Sequence, residues 1–444
     1  MSQSDPTQTS TDDRTRDVRG RKRVVITGMG VIAPNANGVP DFEMALREGR
    51  SGLKHQESMV EAKFGCTVAG SPEGVDALCE KTFTEEELMA MNMNHRYAGL
   101  AAIEAWLDAG LERPAADSDE VNWETGAIVG TGIGGMDTIA GKVVPLTNAG
   151  KIRRMGSVCV EQVMASGISA RLSGLLALGN QVTTNSSACS TGTEALSMGM
   201  ERIRAGLADR MLCGGAEAAS HFIWSGFDAM RVLNRKSNDE PEKASRPLSA
   251  SAAGFIPGSG AGVVMLESLE SALARGANIR AELGGSGINC GGHRMGGSMT
   301  APNPTSVQRC IGDALADANV GAEQVDAING HLTATGADPK EVESWARALG
   351  REPGSLPPLT ATKSMIGHAL GAAGGLEAVA SILMVERGFV HASINCEDVH
   401  PEIEKHEASI PHNTIELPNL EVLVKAGFGF GDVNACLVFK RYKE

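Results

Sequence analysis

The chain carries nine cysteines without a single Cys-x-x-Cys pair, and the odd count disfavours a disulfide framework. That pattern disfavours a structural zinc site and fits a reducing compartment, so most of these thiols are expected to be small buried side chains. Aromatic residues are scarce, with four Trp, two Tyr and ten Phe. Set against 54 glycines, this scarcity points to tight turns and closely packed elements rather than an aromatic-rich β-sandwich. Positive charge is also short: 40 Lys and Arg face 54 Asp and Glu, a formal net charge of −14. Such a surface repels a phosphate backbone, which argues against nucleic-acid binding and requires any anionic partner to meet a local basic patch. No apolar run approaches the roughly 20 residues that span a bilayer. Residues 1–21 hold no hydrophobic stretch and include Asp5, Asp12, Asp13 and Asp17. They read as a disordered leader rather than a signal or transit peptide, and a cytoplasmic location is expected.

What the chain does hold is material for a layered α/β fold. Apolar, β-branched runs bounded by glycine recur at 23–34, 127–135, 211–218, 261–268, 325–331, 421–431 and 434–440. Helical patterns at 97–111 and 307–320 lie between them, and such alternation implies helices layered on sheets. A division into two halves is expected near residue 273, giving 22–273 and 274–444. The irregular segments 231–251 and 288–304 read as functional or interface loops.

Two glycine-rich runs carry no nucleotide signal. The run 130–135 lacks the G-x-G-x-x-G spacing, and 254–262 lacks the Lys-Ser/Thr ending of a phosphate loop. Cys189 in 186-SSACSTG-192 is a stronger candidate. Leu196, Met200, Ile203 and Leu207 recur downstream on one helix face, which places the thiol at a helix N-terminus. There the helix dipole favours the thiolate and lowers the thiol pKa. Position alone leaves a buried structural cysteine as an open alternative. His331 follows an apolar run and precedes Thr333 and Thr335, while His368 follows Lys363 and leads into a Gly/Ala-rich helix. Two histidines at such junctions are natural partners for a nucleophilic thiol.

The motifs SACSTG, NGHLTATG, TKSMIGHALGAAG and GFGFGDVN, in this order, resemble those of the elongating β-ketoacyl-acyl carrier protein synthases, the Cys-His-His condensing enzymes of the thiolase superfamily. The resemblance runs from about residue 22 to 441. It implies a thiolase-like α-β-α-β-α fold built from two similar halves. It implies Cys189 as the nucleophile that accepts an acyl chain from a carrier protein, and His331 and His368 as donors to a malonyl thioester that loses carbon dioxide. Lys363 and Glu377 match a lysine and a glutamate near the second histidine that organise charge and hydrogen bonds, and Thr333 and Thr335 match hydroxyls that hold the pantetheine arm. Phe430 matches the gate whose backbone N–H joins that of Cys189 in an oxyanion site. Ile133 matches a residue lining the acyl pocket near a dimer interface, and Arg231 and Lys151 match a basic patch for acyl carrier protein. No metal or resident cofactor is implied, since substrates ride on the carrier's phosphopantetheine. A homodimer is implied, and a heterodimer with a related subunit is compatible with it.

Departures from the family pattern cluster around the expected entrances. The stretch 246-RPLSASAAGF-255 lacks the usual aspartate and arginine, the segment between His331 and Asp338 is one residue shorter, 291–304 is longer, and Asp432-Val433 replaces the usual Gly-Thr. Two alternatives to an active synthase remain open at this stage. One is a non-catalytic partner like the chain-length factors, and the other is a thiolase using Cys436 as a second cysteine.

Overall fold

The computed structural model describes residues 13–115 and 118–443. Ten strands form its main sheet, joined by a short eleventh, Ala36–Asn37. Those of the N-terminal half are β1 (Val24–Ala33), β2 (Thr125–Gly130), β3 (Val182–Thr183), β4 (Arg210–Glu217) and β5 (Gly260–Ser268). Helices α1 (Met93–Asp108), α2 (Gly167–Leu176) and α3 (Thr191–Arg204) precede β2, β3 and β4 respectively. The C-terminal half repeats the plan with β6 (Ala281–Cys290), α4 (Pro304–Ala318), β7 (Ala327–Asn329), α5 (Asp338–Ala348), β8 (Leu359–Thr360), α6 (Ala373–Arg387), β9 (Val422–Gly429) and β10 (Val433–Lys440).

Strand order reveals a duplication that the residue pattern hides. The N-terminal half runs β1-β5-β4-β2-β3 and the C-terminal half runs β6-β10-β9-β7-β8, so both place first, fifth, fourth, second and third strands side by side. The pairing directions also match: antiparallel where the fifth strand is involved, parallel among the rest. The halves meet where Val25 and Ile26 pair with Glu282 and Ala281.

Helices α3 and α6 pack against each other and against strands of both halves. Helices α1 and α2 cover the outer N-terminal face, and α4 and α5 the outer C-terminal face. Three apolar cores fill the gaps between the five layers. The central one joins Leu196, Met200 and Ile203 of α3 to Leu376, Val379 and Leu383 of α6. Leu207, expected on that same face, is exposed because α3 ends at Arg204 and Gly206 turns the chain. The two central helices approach through glycines: a Cβ on Gly192 would stand 2.4 Å from the Gly375 nitrogen. Such a contact is open only to residues without a side chain.

The expected disorder of 1–21 is corrected in its latter part, while residues 1–12 lie outside the described residues. Asp13–Thr15 forms a 3-10 turn, and Arg21 bridges Asp17 and Asp317 at 2.7 and 2.5 Å, tying this segment to α4. Among the described residues no helix is long and apolar enough to cross a membrane.

Candidate active site

The duplication sets Cys189 and His368 face to face. Each sits in the segment joining the third strand of its half to a central helix, so the crossing of α3 and α6 brings both to one point. The Cys189 Sγ lies 3.1 Å from His368 Nε2. His368 Nδ1 accepts the Leu370 backbone N–H at 3.2 Å, which leaves the proton of the neutral ring on Nε2, aimed at the sulfur. His331 follows β7, and its ring meets that of His368 edge to face with centroids 5.4 Å apart. Its Nδ1 lies 3.3 Å from Lys363 Nζ, an ammonium donor, so its proton also belongs on Nε2. Burial, reinforced by Lys363, holds both histidines well below the ordinary imidazole pKa. They are neutral N–H donors at neutral pH.

The thiol behaves differently from the expectation at a helix start. Burial pushes Cys189 up to about 11, outweighing the cation of Lys363 and the backbone N–H of Phe430, both of which favour the thiolate. The carboxylates of Glu377 and Glu217 add to the effect of burial. Cys189 is therefore held as the thiol at neutral pH. The Phe430 N–H faces its sulfur, and a Cβ on Gly429 would stand 3.1 Å from the Cys189 nitrogen. Glycine at 429 leaves the N–H groups of 189 and 430 clear to meet one oxyanion. The Ser190 hydroxyl, 3.0 Å from the Gly427 carbonyl and 3.2 Å from that of Val433, ties this loop to the nucleophile turn.

These groups line a cavity of about 440 Å³ with Phe227, Phe255, Thr333, Thr335 and Phe430. Thr333 and Thr335 hold their hydroxyls 3.1 Å apart. The buried Asp338 carboxylate fixes them by accepting the N–H groups of Thr333, Ala334 and Leu248 at 2.9 to 3.0 Å. The loop 246–251 is thus anchored without the family's usual charges; Arg246 and Ser249 instead meet Asp398. Glu341, whose pKa burial raises to about 7, accepts the His331 and Leu332 N–H groups at 2.6 and 2.9 Å.

Not every expected residue reaches the cavity. Ile133 does not line it; the side chain is 40% exposed, and its loop is held from behind by the buried Glu217 carboxylate, which binds the N–H groups of Gly132, Ile133 and Gly371. Glu377 does not line it either. It forms an ion pair with Lys363, whose Nζ also donates to the His331 carbonyl at 2.7 Å, so the pair stands beside His331 rather than beside the second histidine. Arg231 is exposed beside the lining residue Val232, and Lys151 is exposed on a separate segment next to Arg153 and Arg154.

Three groups escaped the sequence reading: Glu217, Lys425 and the latch made by Asp432. The buried Asp432 accepts the N–H groups of His293 and Asn303 at 3.0 and 2.8 Å, while Gly431 donates to the Met299 carbonyl at 2.8 Å. Two of the noted departures, the long 291–304 loop and Asp432, are therefore one feature. The loop also supplies Met295, Thr300 and Pro302 to the cavity wall.

The donor atoms of Cys189, His331 and His368 lie within 4.8 Å of one another, a spacing that also suits a metal ion. The ammonium of Lys363 beside His331 opposes a further cation there. A thiol, two N–H donors on neutral rings and two backbone N–H groups instead suit acyl transfer, where negative charge develops on carbonyl oxygens.

The chain belongs to the beta-ketoacyl synthase family: residues 21–272 match its N-terminal domain and 280–397 its C-terminal domain. It is 35% identical over 428 residues to 3-oxoacyl-[acyl-carrier-protein] synthase 2 of Vibrio harveyi, covering 96% of this chain and all of that one. Among solved structures it is similar to the ishigamide ketosynthase/chain length factor, with TM-score 0.84 and 32% identity over 95% of this chain and all of the other. It is also similar to a chain in a type II PKS acyl-carrier protein complex with its ketosynthase bound to the hexaketide, with TM-score 0.84 and 27% identity over the same shares.

Proposed function

We propose that this chain is an active β-ketoacyl-acyl carrier protein synthase, carrying out decarboxylative Claisen condensation in fatty-acid or related polyketide chain elongation. The observation that carries the reading is the Cys189 sulfur 3.1 Å from a His368 Nε2–H whose tautomer the Leu370 N–H fixes. In the first stage Cys189 Sγ attacks the acyl thioester. The oxyanion rests on the N–H groups of Cys189 and Phe430, the bond to the pantetheine sulfur breaks, and that sulfur leaves with the thiol proton. In the second stage malonyl thioester loses carbon dioxide, and the electron pair of the broken C–C bond forms an enolate. The Nε2–H groups of His331 and His368 hold its oxygen. The enolate carbon attacks the acyl-cysteine, releasing 3-ketoacyl-carrier and a Cys189 thiolate that takes up one proton.

Thr333 and Thr335 sit where they can hold the pantetheine arm, Phe430 gates the cavity, and Lys363 with Glu377 orients His331. The reading assigns no metal or resident cofactor, because the carrier's phosphopantetheine brings both substrates. Acyl carrier protein docks beside Arg231, with Lys151 as a second basic contact; the similar ketosynthase solved with its acyl-carrier protein supports this partner. The chain divides near residue 273 into two halves and pairs with a second subunit, identical or related. The outer edge of β3, at the end of the sheet, and the exposed Ile133 support such a pairing.

A chain-length-factor role fits poorly with a complete Cys-His-His site. A thiolase role fits poorly with Cys436, which is buried in β10 and absent from the cavity wall. Incubation of the purified chain with acyl- and malonyl-carrier protein tests the reading. An acyl adduct on Cys189 and release of carbon dioxide are expected. Acetyl-CoA turnover without carbon dioxide, or condensation that appears only with a second synthase subunit while Cys189 itself takes up no acyl group, would overturn it.

A further inference from the structure

The core beside the active site holds a charge arrangement that takes no direct part in the two condensation stages. Lys425 on β9 is fully buried, four residues before the gate glycine 429. Its Nζ lies 3.0 Å from Glu377 Oε2 and 2.5 Å from the Thr193 hydroxyl, on the first turn of α3. The other oxygen of Glu377 pairs with Lys363. Among the described residues, Glu377 is the only carboxylate paired with either lysine, and all three side chains are at most 2% exposed.

Two buried ammonium groups on one carboxylate make a poor device for stability. Each buried charge loses its hydration, and one carboxylate cannot compensate both. The arrangement spans the elements that build the site: α3 behind Cys189, α6 behind His368, and the strand that runs into the Phe430 loop. We propose that Lys425 is a positioning residue that completes a buried Lys363–Glu377–Lys425 triad, leaving one uncompensated positive charge to stabilise the anions formed at Cys189 and on the bound thioesters. Because Glu377 is shared, the charge of Lys363 is only partly cancelled where it meets His331. Burial and the neighbouring Lys363 lower the Lys425 pKa, while Glu377 and Cys436 raise it. Cys189 itself faces His368, Lys363, Glu377 and Glu217, with His331 completing the cluster. Lys425 also helps keep both histidines neutral, as N–H donation requires.

The inference rests on the condensing reading, yet its test needs no acyl substrate. Alkylation by iodoacetamide from pH 7 to 10, read by mass spectrometry on the peptide that holds Cys189 so that the exposed Cys290 is counted apart, follows thiolate formation at Cys189. Lys425→Met is expected to alkylate about tenfold more slowly than the unaltered chain at each pH, the effect of about one pKa unit. Lys425→Gln, which keeps a donor for Thr193, is expected to slow it similarly. Thr193→Val removes only the hydroxyl contact and is expected to stay within about twofold. Folded Lys425 variants that alkylate at the unaltered rate would overturn the proposal. So would failure of both to fold, which would make the lysine a structural element. If the unaltered chain shows the expected lysine dependence yet transfers no acyl group, the condensing reading fails and the triad stands.

Discussion

The Cys189 sulfur and His368 Nε2 lie 3.1 Å apart across 179 residues of sequence because they occupy the same place in two copies of one topology. Each precedes the central helix of its half, and glycine contacts between those helices set how closely the two can approach. The reactive pair is thus a product of the duplication itself. It lies at the seam where the halves cross, and His331, after the second strand of the C-terminal half, completes it.

On the proposed mechanism, Cys189 serves the first chemical stage and the two histidines serve the second. Cys189→Ala is expected to abolish acyl transfer, with condensation falling by about 10⁴-fold or more. Cys189→Gln is expected to keep releasing carbon dioxide from malonyl-carrier protein, because His331 and His368 retain their proton positions. Replacing either histidine by alanine removes one of two donors to the enolate oxygen and should slow that release by about 10²- to 10³-fold. Radiolabelled carbon dioxide measured beside acyl-enzyme mass distinguishes these cases. Full decarboxylation by His331→Ala would remove that residue from the mechanism.

The resting protonation of Cys189 is open to direct measurement. With the thiol pKa near 11, the thiolate fraction at pH 7 is small and grows about tenfold per pH unit. Iodoacetamide alkylation of Cys189, read on its own peptide, should therefore climb through pH 9 with no plateau below pH 10. A plateau near pH 7 would mean that the helix dipole outweighs burial after all.

Glu341 offers a second titration, visible in stability. Burial raises its folded pKa from 4.5 to about 7. A group raised in this way contributes stability that is fully present below its unfolded value and is lost as pH rises through its folded value. The contribution therefore disappears between about pH 4.5 and 7. Glu341→Gln cannot ionise, so its urea midpoint should fall less than that of the unaltered chain across this window, and the two curves should run parallel above about pH 8. Parallel curves throughout would assign the acid limb of stability to other groups.

Much of the site was legible because its chemistry needs particular side chains. Cys189, His331, His368, Thr333 and Thr335 sit in motifs whose residue types announce themselves, and the strands around them are β-branched runs. Strand β6 was not, since Gly284, Gly285 and Gly287 break its pattern. Helix α4 explains two of them: a Cβ on Gly285 would stand 2.4 Å from the Ala318 nitrogen, and one on Gly287 2.2 Å from the Cys310 carbonyl oxygen. The backbone at the site was equally silent. Ala188, Leu332, Ala334 and Leu370 all adopt positive φ beside the three reactive residues, a conformation that neither alanine nor leucine signals. Such strain, about 1–3 kcal/mol for each residue, persists where surrounding contacts enforce it and gathers at functional sites. Lys425 stayed hidden for another reason: a lysine in a strand reads as solvated until tertiary structure buries it.

Asp432 stood out in the sequence as a departure but its partners did not, and those contacts make a prediction about substrate choice. Its carboxylate and backbone join the 291–304 loop to the Phe430 loop, so the two walls of the cavity are held as one body. Asp432→Ala leaves the His293 and Asn303 N–H groups without their acceptor, which should cost about 1–3 kcal/mol for each one that water does not reach. It should also let Met295 and Thr300 move independently of the gate. The expected result is a modest fall in thermal midpoint with a larger change in the set of acyl lengths trapped on Cys189, read by intact mass after incubation with a mixed acyl-carrier pool. Asp432→Asn retains one acceptor oxygen and should fall between the two. If both variants trap the unaltered set of chains, Asp432 serves folding alone, and the longer loop takes no part in choosing the substrate.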